Sequence, residues 1–175
     1  MTSTDGDPAC DVAHGGAAAP APPDGRLLVA VFASPVAEYL LRYGGDAGFR
    51  AVLVEPDEKI AEAERDRGAA VVSEVAAGLG AGADVVVTDH HRPELGAVLR
   101  DALAGQARWI GVMGNPRHPA PHVTALTELG VQPDDIARVH RPVGLNIGSR
   151  TPAEIAIATL AGLIADRNGR PGGFF

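Results

Sequence analysis

Leu27-Leu28-Val29-Ala30-Val31-Phe32-Ala33-Ser34-Pro35-Val36-Ala37 decides the fold of this chain. Residues 27–32 are apolar, uncharged and unbroken, the composition of a strand covered on both faces. Ser34 and Pro35 then supply an N-cap and a first-turn residue, so the strand passes directly into a helix, predicted to run to Tyr43 and to stop at Gly44-Gly45. The same alternation recurs downstream. Strands are predicted over 51–54, 70–72, 84–88 and 109–113, and helices over 56–67, 93–104 and 121–129, with Gly68, Gly105 and Gly130 as stop signals. A helical turn is expected at 133–138, and the Ala- and Gly-rich segment 76–83 is left without an element. The last helix is signalled by Thr151 as cap, Pro152 in the first turn and Glu154 completing a capping box, and it should run to about Arg167. Repeated βα units of this kind build an α/β fold, a Rossmann-like three-layer sandwich with a mostly parallel sheet. Ligands of such sheets sit beyond the carboxyl ends of the strands.

The bulk properties fit one domain. At 175 residues with 46% hydrophobic content, the chain can build one core and not two. Residues 1–25 are rich in Thr, Ala, Pro, Asp and Gly without apolar periodicity, and read as a disordered tail. The folded domain then covers 26–168, and 169–175 is a loose tail. The amino-terminal stretch has no basic start and no apolar run before a cleavage site, and no later run reaches membrane-spanning length, so the expected location is the cytoplasm. The lone cysteine, Cys10, cannot form an internal disulfide. A net charge of -7 counts against a nucleic-acid partner, whose phosphates need clustered Lys and Arg.

Chemistry-bearing residues gather at the predicted ligand edge. A dinucleotide-binding first turn carries G-x-G-x-x-G so that the backbone can approach a pyrophosphate. Here both early glycines are missing; Ser34 and the helix start can still receive an anion, but Pro35 removes one donor, the Cβ of Ala33 narrows the approach, and an ordinary capped helix is favoured. Glu55 ends the second strand, where an acidic residue can accept from a ribose. Asp89, His90 and His91 follow the fourth strand. Adjacent residues of an extended chain point in opposite directions, so His90 and His91 are not expected to share a metal. His118 and His122 have helical spacing, but Pro119 and Pro121 break the helix that would align them, and no metal site is expected. Gly111, Gly114 and Asn115 form a second glycine-containing turn, with Arg117 behind them as either an anion clamp or a solvated loop residue.

The final loop differs in kind. Pro142-Val143-Gly144-Leu145-Asn146-Ile147-Gly148-Ser149-Arg150-Thr151-Pro152 alternates apolar and flexible positions and feeds a helix start whose N–H groups and dipole favour an anion. Ser149 and Arg150 are placed to supplement those donors; a plain helix-entry loop is the simpler alternative.

This loop, continued through Ala153-Glu154-Ile155-Ala156 and taken with Gly111-Val112-Met113-Gly114 and Asp89-His90-His91, resembles the carboxyl-terminal domain of the XdhC/CoxI family, the xanthine dehydrogenase accessory proteins. The similarity runs from Arg26 to Arg167, strongest against the family pattern G-L-D-I-G-A-R-T-P-x-E-I-A. It implies a Rossmann-like fold and a chaperone role in maturing a molybdenum hydroxylase such as xanthine dehydrogenase. The protein would bind molybdenum cofactor (molybdopterin), protect it during sulfuration by a sulfurtransferase, and pass it on, a role that requires no catalysed turnover. The cofactor ends in a phosphate or a dinucleotide, and the implied binding residues are Asn146, Gly148, Ser149, Arg150 and Thr151, with Gly114 and Arg117 opposite.

Several positions depart from the family. Its glycine-rich first turn, G-A-G-H-V-A, survives only as Val36-Ala37, which counts against NAD(P). Asn146 replaces an aspartate and Ser149 an alanine, and Cys10 is the only thiol, so thiol chemistry would come from another chain. Two other classes stay open: an NAD(P)-dependent oxidoreductase with Glu55 on the ribose and His90 as acid or base, and a degenerate nucleotide-binding or interaction module. The sequence does not fix the oligomeric state, although related Rossmann-like proteins often pair, which leaves a homodimer open.

Overall fold

A computed structural model describes residues 25–75, 82–114, 117 and 119–173. The predicted tail up to residue 24, most of the Ala and Gly segment, Asn115, His118 and the last two residues lie outside the described residues.

The elements follow in strict succession: β1 (Leu27–Val31), α1 (Pro35–Asp46), β2 (Arg50–Val54), α2 (Glu58–Asp66), β3 (Val71–Val72), β4 (Asp84–Val87), α3 (Leu95–Ala104), β5 (Trp109–Val112), α4 (Pro121–Glu128), α5 (Pro133–Ile136), β6 (Val139–His140) and α6 (Pro152–Arg167). The sheet has the order β3-β2-β1-β4-β5-β6. Every pairing is parallel, as the apolar strands require. Strand order reverses between β1 and β4, which makes their carboxyl ends the switch point of a doubly wound sheet.

The two-residue period of each strand divides the core in two. Leu28, Ala30, Leu53 and Val86 pack toward Leu40 of α1 and Ala156, Leu160 and Leu163 of α6. Val29, Val31, Val85, Val87, Ile110 and Val112 pack toward Leu95 and Leu99 of α3 and Leu126 of α4. No helix among the described residues is long and apolar enough to cross a membrane.

Two glycine readings need correction. Helix α1 does not stop at Gly44-Gly45 but continues to Asp46, and the left-handed turn falls at Gly48, φ 84°. A Cβ on Gly44 would stand 2.6 Å from Leu28 Cδ2, so this glycine lets α1 lie close on β1. Gly111 belongs to strand β5 rather than to the turn after it. There a Cβ would strike the Trp109 ring and come within 2.5 Å of Val143 Cγ1. The space it leaves lets Trp109 lie flat against His140 of β6, with ring centroids 5.2 Å apart and planes at 4°. Strand β6 itself was not predicted, because two residues carry no period.

Candidate functional site

The first βα turn is occupied from within. Phe32 takes a left-handed φ of 70°, and the next residue, Ala33, directs its N–H to Glu55 Oε2 at 2.8 Å. Glu55 is fully buried; its other oxygen accepts from the Asp57 N–H at 3.0 Å and from Arg92 Nη2 at 2.9 Å. The Arg92 guanidinium lies 4.7 Å from the Phe32 ring centroid, a cation over an aromatic face. Thus the carboxylate that sequence placed on a ribose is a buried hub tying β1, β2 and the loop after β4. A pyrophosphate arriving at this turn would compete with it for the Ala33 amide.

Ser34 is equally committed. Its hydroxyl accepts from the Ala37 N–H at 3.0 Å and donates to Thr88 Oγ1 at 2.9 Å, while the Thr88 hydroxyl donates to the Phe32 carbonyl at 2.8 Å. A groove of about 980 Å³ opens beside this turn, between α1 and α2, with Ala37, Ala51 and Ala70 in its wall and Arg42 and Arg67 at its rim. Of the residues chosen from sequence only Ser34 lines it.

After β4 the chain turns rather than extends. The Asp89 carboxylate accepts the His91 N–H at 2.9 Å, an Asx-type turn, and the His90 and His91 rings lie side by side with centroids 4.1 Å apart. The expectation that the two rings diverge is therefore corrected: it assumed an extended chain. Burial, His91 and Arg141 hold the His90 imidazole below its ordinary value, and the Met113 backbone carbonyl beside it pulls the other way. Among the described residues no group of three or more His, Cys, Asp or Glu gathers to hold a metal.

Arg141, which sequence did not single out, crosses from the end of β6 to Gly114 on the loop after β5. A Cβ on Gly114 would come within 2.7 Å of its Nε. Arg117 is exposed in that loop. His122, in the first turn of α4, is buried, and its Nδ1 has no hydrogen-bond partner. Burial and the Arg141 charge lower its pKa. Sequence considered His122 only with His118; the signal it lacked was β6, which delivers Arg141 to the same edge.

The final loop is held against α6. Gly144 has φ 82°, and a Cβ there would lie 2.8 Å from the Ala158 carbonyl carbon and the Thr159 nitrogen, backbone atoms that cannot give way. The Leu145 N–H donates to the Ala158 carbonyl at 3.0 Å. Gly148 is left-handed at φ 71° with open space around it, and Asn146, Gly148 and Arg150 are exposed while Ser149 is half-buried.

The predicted capping box is present, and it changes the reading of this helix start. Glu154 Oε2 accepts the N–H groups of Arg150 at 2.7 Å and Thr151 at 3.0 Å, and Thr151 Oγ1 accepts the Glu154 N–H at 3.3 Å. Those bonds hold the Glu154 carboxyl below the usual carboxylate range. Pro152 has no N–H, so among the described residues only the Ala153 amide is left for an outside anion. The expectation of several free N–H groups here is corrected: the helix carries its own anion.

These features define a Rossmann-type α/β domain with an internal carboxylate at the turn where dinucleotide-binding relatives carry glycines. The sequence matches the family model of the XdhC Rossmann domain over residues 28–163, and the chain belongs to that family. It is 36% identical over 89 residues to the protein YqeB of Escherichia coli (strain K12), a match spanning 51% of this chain and 16% of YqeB. In fold it is similar to a crystal structure of a xanthine dehydrogenase from Bacillus halodurans, with a TM-score of 0.67 and 23% identity over 82% of this chain and 45% of that one. The chain thus spans less than half the length of either relative.

Proposed function

We propose that this protein is an accessory chaperone for a molybdenum hydroxylase of the xanthine dehydrogenase type, holding molybdenum cofactor at the carboxyl edge of its sheet before insertion. The observation that carries this reading is the XdhC-domain match across 28–163. The residues of that edge suit such a ligand: Arg141 beside Gly114 brings positive charge, and Asn146, Ser149 and Arg150 of the final loop bring polar side chains. When bound, the cofactor supplies the molybdenum and its sulfur ligands. The described residues contain no thiol, so the sulfur would be delivered by a partner sulfurtransferase. The work of this chain is to bind, orient and shield, as a monomer or a homodimer in the cytoplasm.

Native mass spectrometry of the full chain, expressed with the cofactor-synthesis machinery, tests this directly. A retained mass of the cofactor is expected, reduced by Arg150→Ala; a chain that emerges without it, alone or with a hydroxylase subunit, refutes the chaperone reading. The internally occupied first turn favours one second reading, an interaction module with an empty pocket. That module would co-purify with the hydroxylase subunit and never carry cofactor.

A further inference from the structure

Helix α6 carries no charge between Glu154 and Asp166: residues 155–165 read Ile-Ala-Ile-Ala-Thr-Leu-Ala-Gly-Leu-Ile-Ala. A helix that is apolar all round belongs inside a core, with cover on every side. In this chain the cover is one-sided. Ala156, Leu160 and Leu163 pack into the core of the sheet, and the backbone at Ala158 and Thr159 lies against Gly144 of the final loop. Ala153, Ile157, Ala161 and Ile164, spaced i, i+4, i+8 and i+11, fall together on the other side of the helix. None of the four is buried, and Ile157 is 49% exposed.

Two features of the molecule indicate what covers this face. The first is symmetry. About the midpoint between Leu160 and Ala161, Ile157 mirrors Ile164 and Ala156 mirrors Ala165, while charges of opposite sign stand at the two ends, Glu154 before the stripe and the exposed Arg170 after it. A two-fold axis makes residue i of one copy meet residue j of the other and j meet i. An antiparallel second copy therefore lays Ile157 against the partner's Ile164, brings Ala161 beside the axis and turns each Glu154 toward the partner's Arg170. The second feature lies on α1, which packs along α6. Tyr39 and Tyr43 are half-buried on the same core, with ring centroids 5.6 Å apart, and the exposed Arg42 guanidinium covers both rings at 4.9 and 5.1 Å. Tyrosine and arginine are the residues that anchor protein interfaces.

We propose that the outer face of α6, flanked by the Tyr39, Arg42 and Tyr43 cluster of α1, is the contact between two copies of this chain, with the two α6 helices antiparallel about a two-fold axis. The small side chains of Ala153 and Ala161 let the helices approach closely, and Ile157 and Ile164 leave water. Helix α6 runs against the strands, so this pairing points the carboxyl edges of the two sheets in opposite directions. It uses neither Arg141 nor the Asn146, Ser149 and Arg150 side chains, and stands apart from the cofactor reading.

Light scattering of the full chain should give about twice the 17.9 kDa mass of one copy. Ile157→Glu, a change at an exposed position, should weaken self-association about a hundredfold, because the two-fold buries two unpaired charges at once; circular dichroism should show the fold unchanged. In a Cys10→Ser background, Ala161→Cys should join two copies through a short bis-maleimide. Ala153→Cys, whose counterpart in the partner lies about 22 Å away along an antiparallel pair, and Val123→Cys, exposed on α4, should not. A wild-type mass of one copy, an unchanged dimer in Ile157→Glu, or cross-linking through 153 or 123 in place of 161 overturns the interface. So does a single copy that seats a hydroxylase subunit on this face.

Discussion

Replacing Glu55 by Ala should cost the domain about 3–5 kcal/mol, the range for removing one partner of a buried ion pair. The carboxylate has no solvent contact and accepts from two backbone amides, those of Ala33 and Asp57, as well as from Arg92. Each amide left buried without an acceptor forfeits about 1–3 kcal/mol. Arg92 keeps some access to water, so its share is smaller and the sum stays within that range. Glu55→Gln retains one carbonyl oxygen for an amide and should lose about half as much. Urea unfolding of the full chain followed by circular dichroism reads both values, with an unchanged slope showing that the same cooperative unit unfolds. Calorimetry with NAD and NADP accompanies it. Were Glu55 a ribose acceptor instead, Glu55→Ala would abolish nucleotide binding with less than about 1 kcal/mol lost. That pair of results would refute the internal-hub assignment.

Two other perturbations follow from the loop and the buried imidazoles. Gly144→Ala combines a left-handed backbone with a Cβ pressed 2.8 Å from the α6 backbone and should cost about 2–4 kcal/mol, whereas Gly148→Ala, in open space, should cost only about 1; thermal unfolding giving equal losses would contradict the packing argument. His122 and His90 both have pKa values lowered in the folded chain. A depressed histidine contributes stability that is present above its unfolded pKa of about 6.5 and lost as pH falls, because the unfolded chain then takes up the proton first. Unfolding free energy should therefore decline from about pH 7 to pH 5, less steeply in His122→Gln, and a flat wild-type profile would speak against it.

Elements whose signals are local were legible in the sequence. The β1–α1 unit, the Ser34 cap and the Thr151–Glu154 capping box each depend on neighbours within a few residues, and each is found where it was read. Apart from the local turn at Asp89–His91, the corrected readings involve distant partners. Gly44 and Gly111 resemble punctuation until Leu28 and Trp109 are seen against them. Glu55 stands where a ribose acceptor belongs, and nothing near it in the chain reveals that Arg92, 37 residues on, will pair with it. Arg141 escaped notice because it reaches Gly114 through a strand too short to show a period. The capping box was read correctly, yet its consequence was missed: a helix start that binds its own carboxylate has little left to offer.

Helix α6 follows the edge strand β6 but packs with α1 against the middle of the sheet, and Arg167 donates to the Ala47 carbonyl across 120 residues of chain. The final loop must therefore span the carboxyl edge to bring the two ends of the domain together. Such distant contacts carry the largest closure entropy and tend to form late in folding. A ligand seated under this loop would act as a clasp on the finished domain, raising its unfolding free energy by mass action. Synthesis of the last helix would then be the event that completes the domain.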